Sequence, residues 1–244
     1  YTIYGTALSV SDIDNDGLKE FAITSNEGEL FAIDDDYEIL WRYYIGENAS
    51  EIVTDDLDSD GSAEILVSCL NNTVIGFYIN KSIIMKYNVG SIINHVLTAD
   101  LNGDSEKEII IASSSGAHIL NMTGYLQKIV LSNNNVTSIT AGNVAGDDCN
   151  ELVLGLSNGS LVIYDYLYDN YVATHRLNIG AITRILVHDI VSGGNQEILV
   201  SSDDGYIMAL NASQVLWQVK NSYGVVDIRV AIADAFIIAN YRKG

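Results

Sequence analysis

Nine residues, Asp12-Ile-Asp14-Asn-Asp16-Gly17-Leu-Lys-Glu20, return 44 residues later as Asp56-Leu-Asp58-Ser-Asp60-Gly61-Ser-Ala-Glu64. After another 44 they recur, altered, as Asp100-Leu-Asn102-Gly-Asp104-Ser105-Glu-Lys-Glu108. Eroded copies start at Asn143 and Asp189, so the five loop starts are spaced by 44, 44, 43 and 46 residues. Self-similarity at a fixed period of about 20–50 residues marks solenoids, propellers and arrays, in which each repeat is one supersecondary unit that buries its apolar face only against its neighbours. The period therefore restricts the chain to a series of small, like units.

The residues between loops set the content of each unit. In the first repeat, Phe21-Ala-Ile23-Thr-Ser25, Glu29-Leu30-Phe31-Ala32-Ile33-Asp34 and Glu38-Ile39-Leu40-Trp41-Arg42-Tyr43-Tyr44-Ile45-Gly46 are short apolar runs broken by Asn, Asp and Gly. Such runs read as strands, and no segment carries a sustained 3.6-residue period. Leu8-Ser-Val10-Ser before the loop supplies a first strand, making four. A Gly stands eight residues after the closing Glu at Gly28, Gly116, Gly159 and Gly205, where a hairpin needs positive φ. Four antiparallel strands in about 44 residues make one propeller blade. The expectation is an all-β chain, one β-propeller domain over residues 1–244, with five near-complete four-stranded blades. A partial sixth survives as Val230-Ala-Ile232-Ala-Asp234 running into Ala235-Phe236-Ile237, its loop deleted. Tyr1-Thr-Ile-Tyr-Gly5 lines up with the tail of an outermost strand, and the full ring is six- or seven-bladed. A chain opening at Tyr1 is read as a segment of a longer protein.

The loops themselves predict chemistry. Calcium takes six to eight hard oxygens at flexible distances, and a tight loop with carboxylates at alternate positions supplies them. Asp12, Asp14, Asp16, the carbonyl of Leu18 and Glu20 form one such set; Asp56, Asp58, Asp60, the carbonyl of Ser62 and Glu64 form a second. A third is Asp100, Asn102, Asp104 and Glu108, with Ser105 where the first two loops have Gly, at a cost of about 1 kcal/mol if φ is positive there. An EF-hand is excluded, because its twelfth position would be Ile23 or Val67 and its flanks must be helices. In the fourth loop Ala145 replaces the central ligand, and in the fifth Val191 and Gly193 replace two, so both are read as empty turns.

The pattern D-x-[DN]-x-D-G-x-x-E, followed by an apolar strand and a Gly turn about every 44 residues, resembles the FG-GAP or VCBS repeats of integrin alpha-subunit propellers. That resemblance implies calcium between the first and second strands of a blade, and a stabilising rather than catalytic role for these carboxylates. The Gly28-to-Asp34 and Gly205-to-Asn211 strands, with Leu40-Trp41 and Leu216-Trp217 after them, bear a fainter likeness to quinoprotein-type propeller repeats; both Trp residues are read as outer-strand packing.

Composition narrows the partners. With 32 acidic and 12 basic residues and a formal charge of −20, the chain lacks the clustered Lys and Arg that nucleic acid or an anionic membrane demands. No run of 18 apolar residues offers direct membrane insertion. Cys69 and Cys149 fall at non-equivalent repeat positions, so no mutual disulfide is expected. Sequons at Asn48, Asn71, Asn80, Asn121, Asn135, Asn158 and Asn211 point to an extracellular or cell-surface protein, or are a by-product of Asn-rich turns in an intracellular scaffold. His95, His118, His175 and His188 occupy scattered repeat positions and no nucleophile motif is present, so no enzymatic activity is expected. The reading is a non-catalytic, calcium-stabilised scaffold for protein interaction or adhesion. The alternative is a carbohydrate-active propeller, lectin- or polysaccharide-lyase-like, with the Tyr164-to-Tyr171 tyrosine cluster as a contact for glycan or protein.

Overall fold

A computed structural model describes residues 4–147, 149–190, 195–222, 224–231 and 236–241. The first sheet holds β1 (Gly5–Ser11), β2 (Glu20–Ser25), β3 (Glu29–Ile33) and β4 (Ile39–Tyr44) in that order. The second holds β5 (Ala49–Asp55), β6 (Glu64–Cys69), β7 (Thr73–Phe77) and β8 (Ile83–Asn88). β9 (Ile93–Ala99), β10 (Glu108–Ser113), β11 (Gly116–Leu120) and β12 (Leu126–Val130) make the third. β13 (Val136–Gly142), β14 (Glu151–Leu156), β15 (Ser160–Asp165) and β16 (Asn170–Arg176) make the fourth. β17 (Ile182–His188), β18 (Glu197–Ser202), β19 (Tyr206–Leu210) and β20 (Val215–Lys220) make the fifth, and β21 (Val225–Ala231) pairs with β22 (Phe236–Tyr241) in a two-stranded sixth. Successive four-stranded antiparallel meanders of this kind are the blades of a β-propeller. Among the described residues no helix is long and apolar enough to cross a membrane.

The predicted strands and loops fall where the sequence placed them. Residues 1–3, 191–194 and 232–235, which carry the expected outer-strand tail, the decayed fifth ligands and the sixth-copy junction, lie outside the described residues. The chain divides into two compact units, one comprising 1–98, 105–113 and 117–130, the other 99–104, 114–116 and 131–244. In the first unit, apolar cores form between successive sheets: Ile13, Leu30, Ile65, Val67 and Phe77 between the first and second, Leu66, Met85, Val96, Ile109 and Ile111 between the second and third. In the other unit, Val153, Ile163, Ile185, Ile198 and Met208 join the fourth to the fifth, and Leu199, Ile207, Val225 and Ile228 the fifth to the sixth. β6 contributes to the cores on both of its sides, and so does β18, which is why these strands are apolar in near-continuous runs rather than alternating; β10 and β14 are likewise buried throughout.

The repeat also carries irregularities. Pairing of the first two strands slips between Gly5 and Ala7, Ala49 and Glu51, Val136 and Ser138, and Ile182 and Arg184. Each slip leaves one hydroxyl residue unpaired in the ladder, a β-bulge. Its side chain then bonds the opposite strand: Thr6 Oγ1 donates to Thr24 O at 3.2 Å, Ser50 Oγ to Ser68 O at 3.2 Å and Thr137 Oγ1 to Gly155 O at 3.1 Å. The hairpin position eight residues past the closing Glu has positive φ in all five blades, including Asn72 at 65° in the blade that lacks Gly. At Gly159 a Cβ would meet the Ile179 carbonyl at 2.2 Å, so only Gly fits.

Main-chain joints tie neighbouring loops. Ala63 N–H donates to Asp12 O at 3.2 Å and Lys107 N–H to Leu57 O at 2.9 Å in one unit; Gln196 N–H donates to Asn143 O at 3.2 Å in the other.

Candidate metal-binding loops

Each acidic loop is the crossing from the first strand of a blade to the second, and its last residue opens that second strand. Glu20 and Glu64 therefore enter the core, at 0% and 2% exposure. One oxygen of each is committed: Glu20 Oε2 accepts Ile13 N–H at 2.7 Å, and Glu64 Oε2 accepts Leu57 N–H at 2.8 Å. The same clamp recurs at Glu151 on Val144 (2.8 Å) and at Glu197 on Ile190 (2.9 Å), although the fourth and fifth loops have lost ligands. The closing Glu thus has a structural task beside any metal, a role the ligand pattern alone did not reveal.

Around Glu20 and Glu64 the loops gather further carboxylates. One oxygen from each of Asp12, Asp14 and Glu20 lies within 4.8 Å of the others, and Asp56, Asp58 and Glu64 repeat the arrangement. Asp16 and Asp60, also predicted ligands, are not in these groups; Asp16 Oδ1 accepts Leu18 N–H and Asp60 Oδ1 accepts Ser62 N–H, each at 2.8 Å. Gly17 and Gly61 donate to Asp12 Oδ2 and Asp56 Oδ2, each at 3.0 Å, and both glycines have positive φ.

The electrostatics of the groups favour a cation. Asp12 Oδ1 and Glu20 Oε1 are buried with no hydrogen-bond partner among the described residues. Burial pushes the Glu20 carboxyl above its ordinary range, with the Asp14 and Asp16 charges adding to it and the Ile13 amide opposing. Burial likewise holds Glu64 up to about 7, against the Leu57 amide and with the charges of Asp58, Asp60 and Asp56. Two oxygens across a Ca2+ at about 2.4 Å each are about 4.8 Å apart, so a donor set of this size and all-oxygen chemistry suits a hard divalent ion.

The remaining loops differ. In the third, Asp100 Oδ1 accepts Gly103 N–H at 2.7 Å and Asn102 Nδ2 donates to Asp104 Oδ2 at 3.0 Å, and the loop contributes none of the acidic groups found among the described residues. Glu108, which opens β10, is 4% exposed. Ser105 has φ 74°, so the strain expected of a non-Gly residue there is present. The fourth loop, read from sequence as an empty turn, contributes an acidic group all the same: Asp147, Glu151 and Asp165. Asp165 ends β15, eighteen residues beyond Asp147 in the chain, and a search confined to loop spacing does not find it.

Other predicted features sort into packing and surface. Trp41 and Tyr43 of β4 pack on the core between the first two sheets, with the Tyr43 ring 4.9 Å from Phe77 of β7. Trp217 corrects the expectation of outer-strand packing: all six residues of β20 are exposed, and Trp217 with His175, Arg176 and Met208 lines a surface cleft of about 580 Å³. The physical reason is that the Trp41 core draws on β7, the third strand of the next blade, whereas the described sixth sheet has two strands. Tyr164 is buried and packs at 5.3 Å against Tyr171, while Tyr168 and Tyr171 are exposed. His95 pairs with Glu51 at 2.5 Å, His118 is buried against the Tyr87 hydroxyl at 2.9 Å, and His175 Nε2 lies 3.0 Å from Ala212 O. Neither cysteine is in a disulfide among the described residues.

No protein-family model matches the chain, and no curated protein matches it in sequence. Solved structures do match in shape. BBS1N in its complex with ARL6DN aligns at a TM-score of 0.71 and 12% identity over 98% of this chain and 76% of that one. Sqt1 of Saccharomyces cerevisiae aligns at 0.72 and 15% identity, over 91% of this chain and 66% of its own. The V. cholerae biofilm matrix protein Bap1 aligns at 0.68 and 20% identity, over 91% of this chain and 40% of Bap1. At these identities the likeness is one of fold, and the fold shared is the β-propeller.

Proposed function

We propose that residues 1–244 form one non-catalytic β-propeller domain that serves as a protein-interaction or adhesion scaffold, with Ca2+ pinning its acidic loops in the manner of FG-GAP or VCBS repeats. The observation that carries the calcium half is a pair of buried oxygens without a hydrogen-bond partner among the described residues, Asp12 Oδ1 and Glu20 Oε1, in a loop whose Asp14 carboxylate joins the same group. Packing like charges out of water without a counter-ion is unfavourable, and a divalent cation removes the conflict. Asp12, Asp14 and Glu20 would hold one ion, Asp56, Asp58 and Glu64 a second, and Asp100, Asn102, Asp104 and Glu108 a third. Bound there, Ca2+ supplies charge neutralisation and cross-linking of the loop and performs no reaction.

A protein partner is supported by the apolar outer strand, where Val215, Leu216, Trp217 and Val219 are exposed together, Trp being a favoured anchor at interfaces. One of the similar propellers was itself solved in complex with a second protein. An extracellular or cell-surface setting, where Ca2+ is plentiful, fits weakly bound loop sites. Glycans found on Asn48 or Asn121 would support that setting, and their absence from the native protein would favour the intracellular scaffold.

The test is thermal. Ca2+ raises the melting temperature of metal-stripped protein, and elemental analysis of protein purified without chelator finds bound calcium. An EDTA melting curve identical to the calcium one, with no calcium found, refutes the proposal. Binding on a glycan array that Trp217→Ala abolishes would replace the scaffold reading with the carbohydrate one.

A further inference from the structure

The fourth loop is the informative exception. Its third position is Ala145, where the first two loops have Asp14 and Asp58, yet Asp147, Glu151 and Asp165 each bring a carboxylate oxygen within 4.8 Å of the others. We propose that these three residues form a separate Ca2+ site in the fourth blade, in which Asp165 of the β15–β16 hairpin stands in for the ligand that Ala145 lacks.

Two observations beyond acidity support the site. Glu151 is 1% exposed; its Oε2 accepts Val144 N–H at 2.8 Å and Ala145 N–H at 2.9 Å, while Oε1 is buried with no hydrogen-bond partner among the described residues. An enclosed carboxylate oxygen without a donor is costly unless a cation meets it. The second observation concerns Asp165, which is 7% exposed and whose Oδ1 accepts Tyr168 N–H at 3.0 Å. Asn211 holds the same turn in the fifth blade and accepts Gln214 N–H at 2.8 Å; Asn121 holds it in the third and accepts Tyr125 N–H at 2.9 Å. The turn therefore needs an oxygen and not a charge. Asp34 holds the same turn in the first blade, half-buried and outside the acidic groups found among the described residues; what sets Asp165 apart is its burial beside Glu151, which a cation would relieve. All three donors are hard oxygens, the set that suits Ca2+.

The site shares its chemistry with the loops proposed above but none of their residues, so the two readings fail separately. The experiment is calorimetric titration of metal-stripped protein with CaCl2, comparing wild type, Asp165→Asn, Asp147→Asn and the double variant Asp14→Asn/Asp58→Asn, the last with and without Asp165→Asn. Asp165→Asn keeps the turn acceptor, as Asn211 shows, and Asp147 is exposed, so both variants fold. The expected result is that Asp165→Asn removes one bound Ca2+ or weakens one site at least tenfold in either background, and that Asp147→Asn does the same in the wild-type background. Unchanged stoichiometry and affinity in both variants overturns the proposal, as does a wild type that binds no Ca2+. If Asp14→Asn/Asp58→Asn loses no sites while Asp165→Asn loses one, the fourth-blade site stands on its own.

Discussion

Replacing Glu64 by Gln should stabilise the protein in EDTA and destabilise it in calcium, and the size of the first effect follows from where the carboxyl sits. Glu64 is 2% exposed and its carboxyl is held up to about 7, against 4.5 in the unfolded chain, chiefly by burial. A raised carboxyl favours the folded state while protonated: the contribution is whole below 4.5 and is lost as the pH climbs through about 7. From 4.5 to about 7, at 1.36 kcal/mol per pH unit, the metal-free folded protein forfeits about 3 kcal/mol by pH 8. Gln carries no charge and retains an oxygen for the Leu57 N–H bond, so Glu64→Gln avoids that loss. At roughly 2–4 °C per kcal/mol for a chain of this size, the variant should melt on the order of 5–10 °C above wild type in EDTA at pH 8, with the gap closing toward pH 5. With Ca2+ at about 1,000 times its dissociation constant the order inverts, because wild type then gains about 4.1 kcal/mol at this site, more than the about 3 kcal/mol it forfeits, and the variant has lost a ligand. Differential scanning calorimetry in EDTA and in CaCl2 at pH 5 and 8 provides the four values. If Glu64→Gln melts below wild type in EDTA at pH 8, or the gap does not depend on pH, the account of this buried carboxylate is wrong.

Ser105, at φ 74°, is strained where the first two loops have Gly, and Ser105→Gly should raise stability by about 1 kcal/mol in urea denaturation. Trp41→Ala should cost about 2 kcal/mol, because the ring packs on the core between two blades, whereas Trp217→Ala should cost under about 1 kcal/mol; comparable losses would contradict the exposure of β20. The Cys69 thiol is buried and pushed up to about 11, chiefly by burial, so it should resist iodoacetamide at pH 8 in the native protein and react once unfolded, as intact-mass measurement will show.

The blade pattern was legible because two signals that survive drift encode it: turn residues that need positive φ, and second strands apolar along their whole length because they are buried throughout. Where Gly was missing at the hairpin, Asn72 took the same φ, a substitution that a search for Gly passes over. The first two acidic groups were legible for a similar reason, since their ligands lie within nine residues. Asp165 was not, because it reaches the fourth loop from the far side of a hairpin, and strand pairing rather than spacing brings it there. Nor was the clamp of the closing Glu, whose bond is to a backbone N–H two residues into the loop and leaves no mark in residue type. The bulge hydroxyls of Thr6, Ser50, Thr137 and Thr183 recur with the repeat period but carry no signal in residue type, because Ser and Thr read as ordinary strand residues. Four of the sequons, at Asn80, Asn121, Asn158 and Asn211, lie in hairpins whose Asn oxygen caps the turn, so local turn formation alone accounts for an Asn at those places.

The joints from Ala63 to Asp12, from Lys107 to Leu57 and from Gln196 to Asn143 use main-chain atoms at both ends. A connector of that kind is indifferent to side-chain identity and sensitive only to the count of residues between its ends. Point substitutions can therefore strip a loop of its carboxylates without loosening the neighbour it holds, while a single inserted or deleted residue between the loop start and the closing Glu would shift the joint out of register. A blade copied within such a chain arrives with its coupling already in place. The history readable in these repeats, ligands fading while spacing holds, is the one that a backbone-borne joint permits.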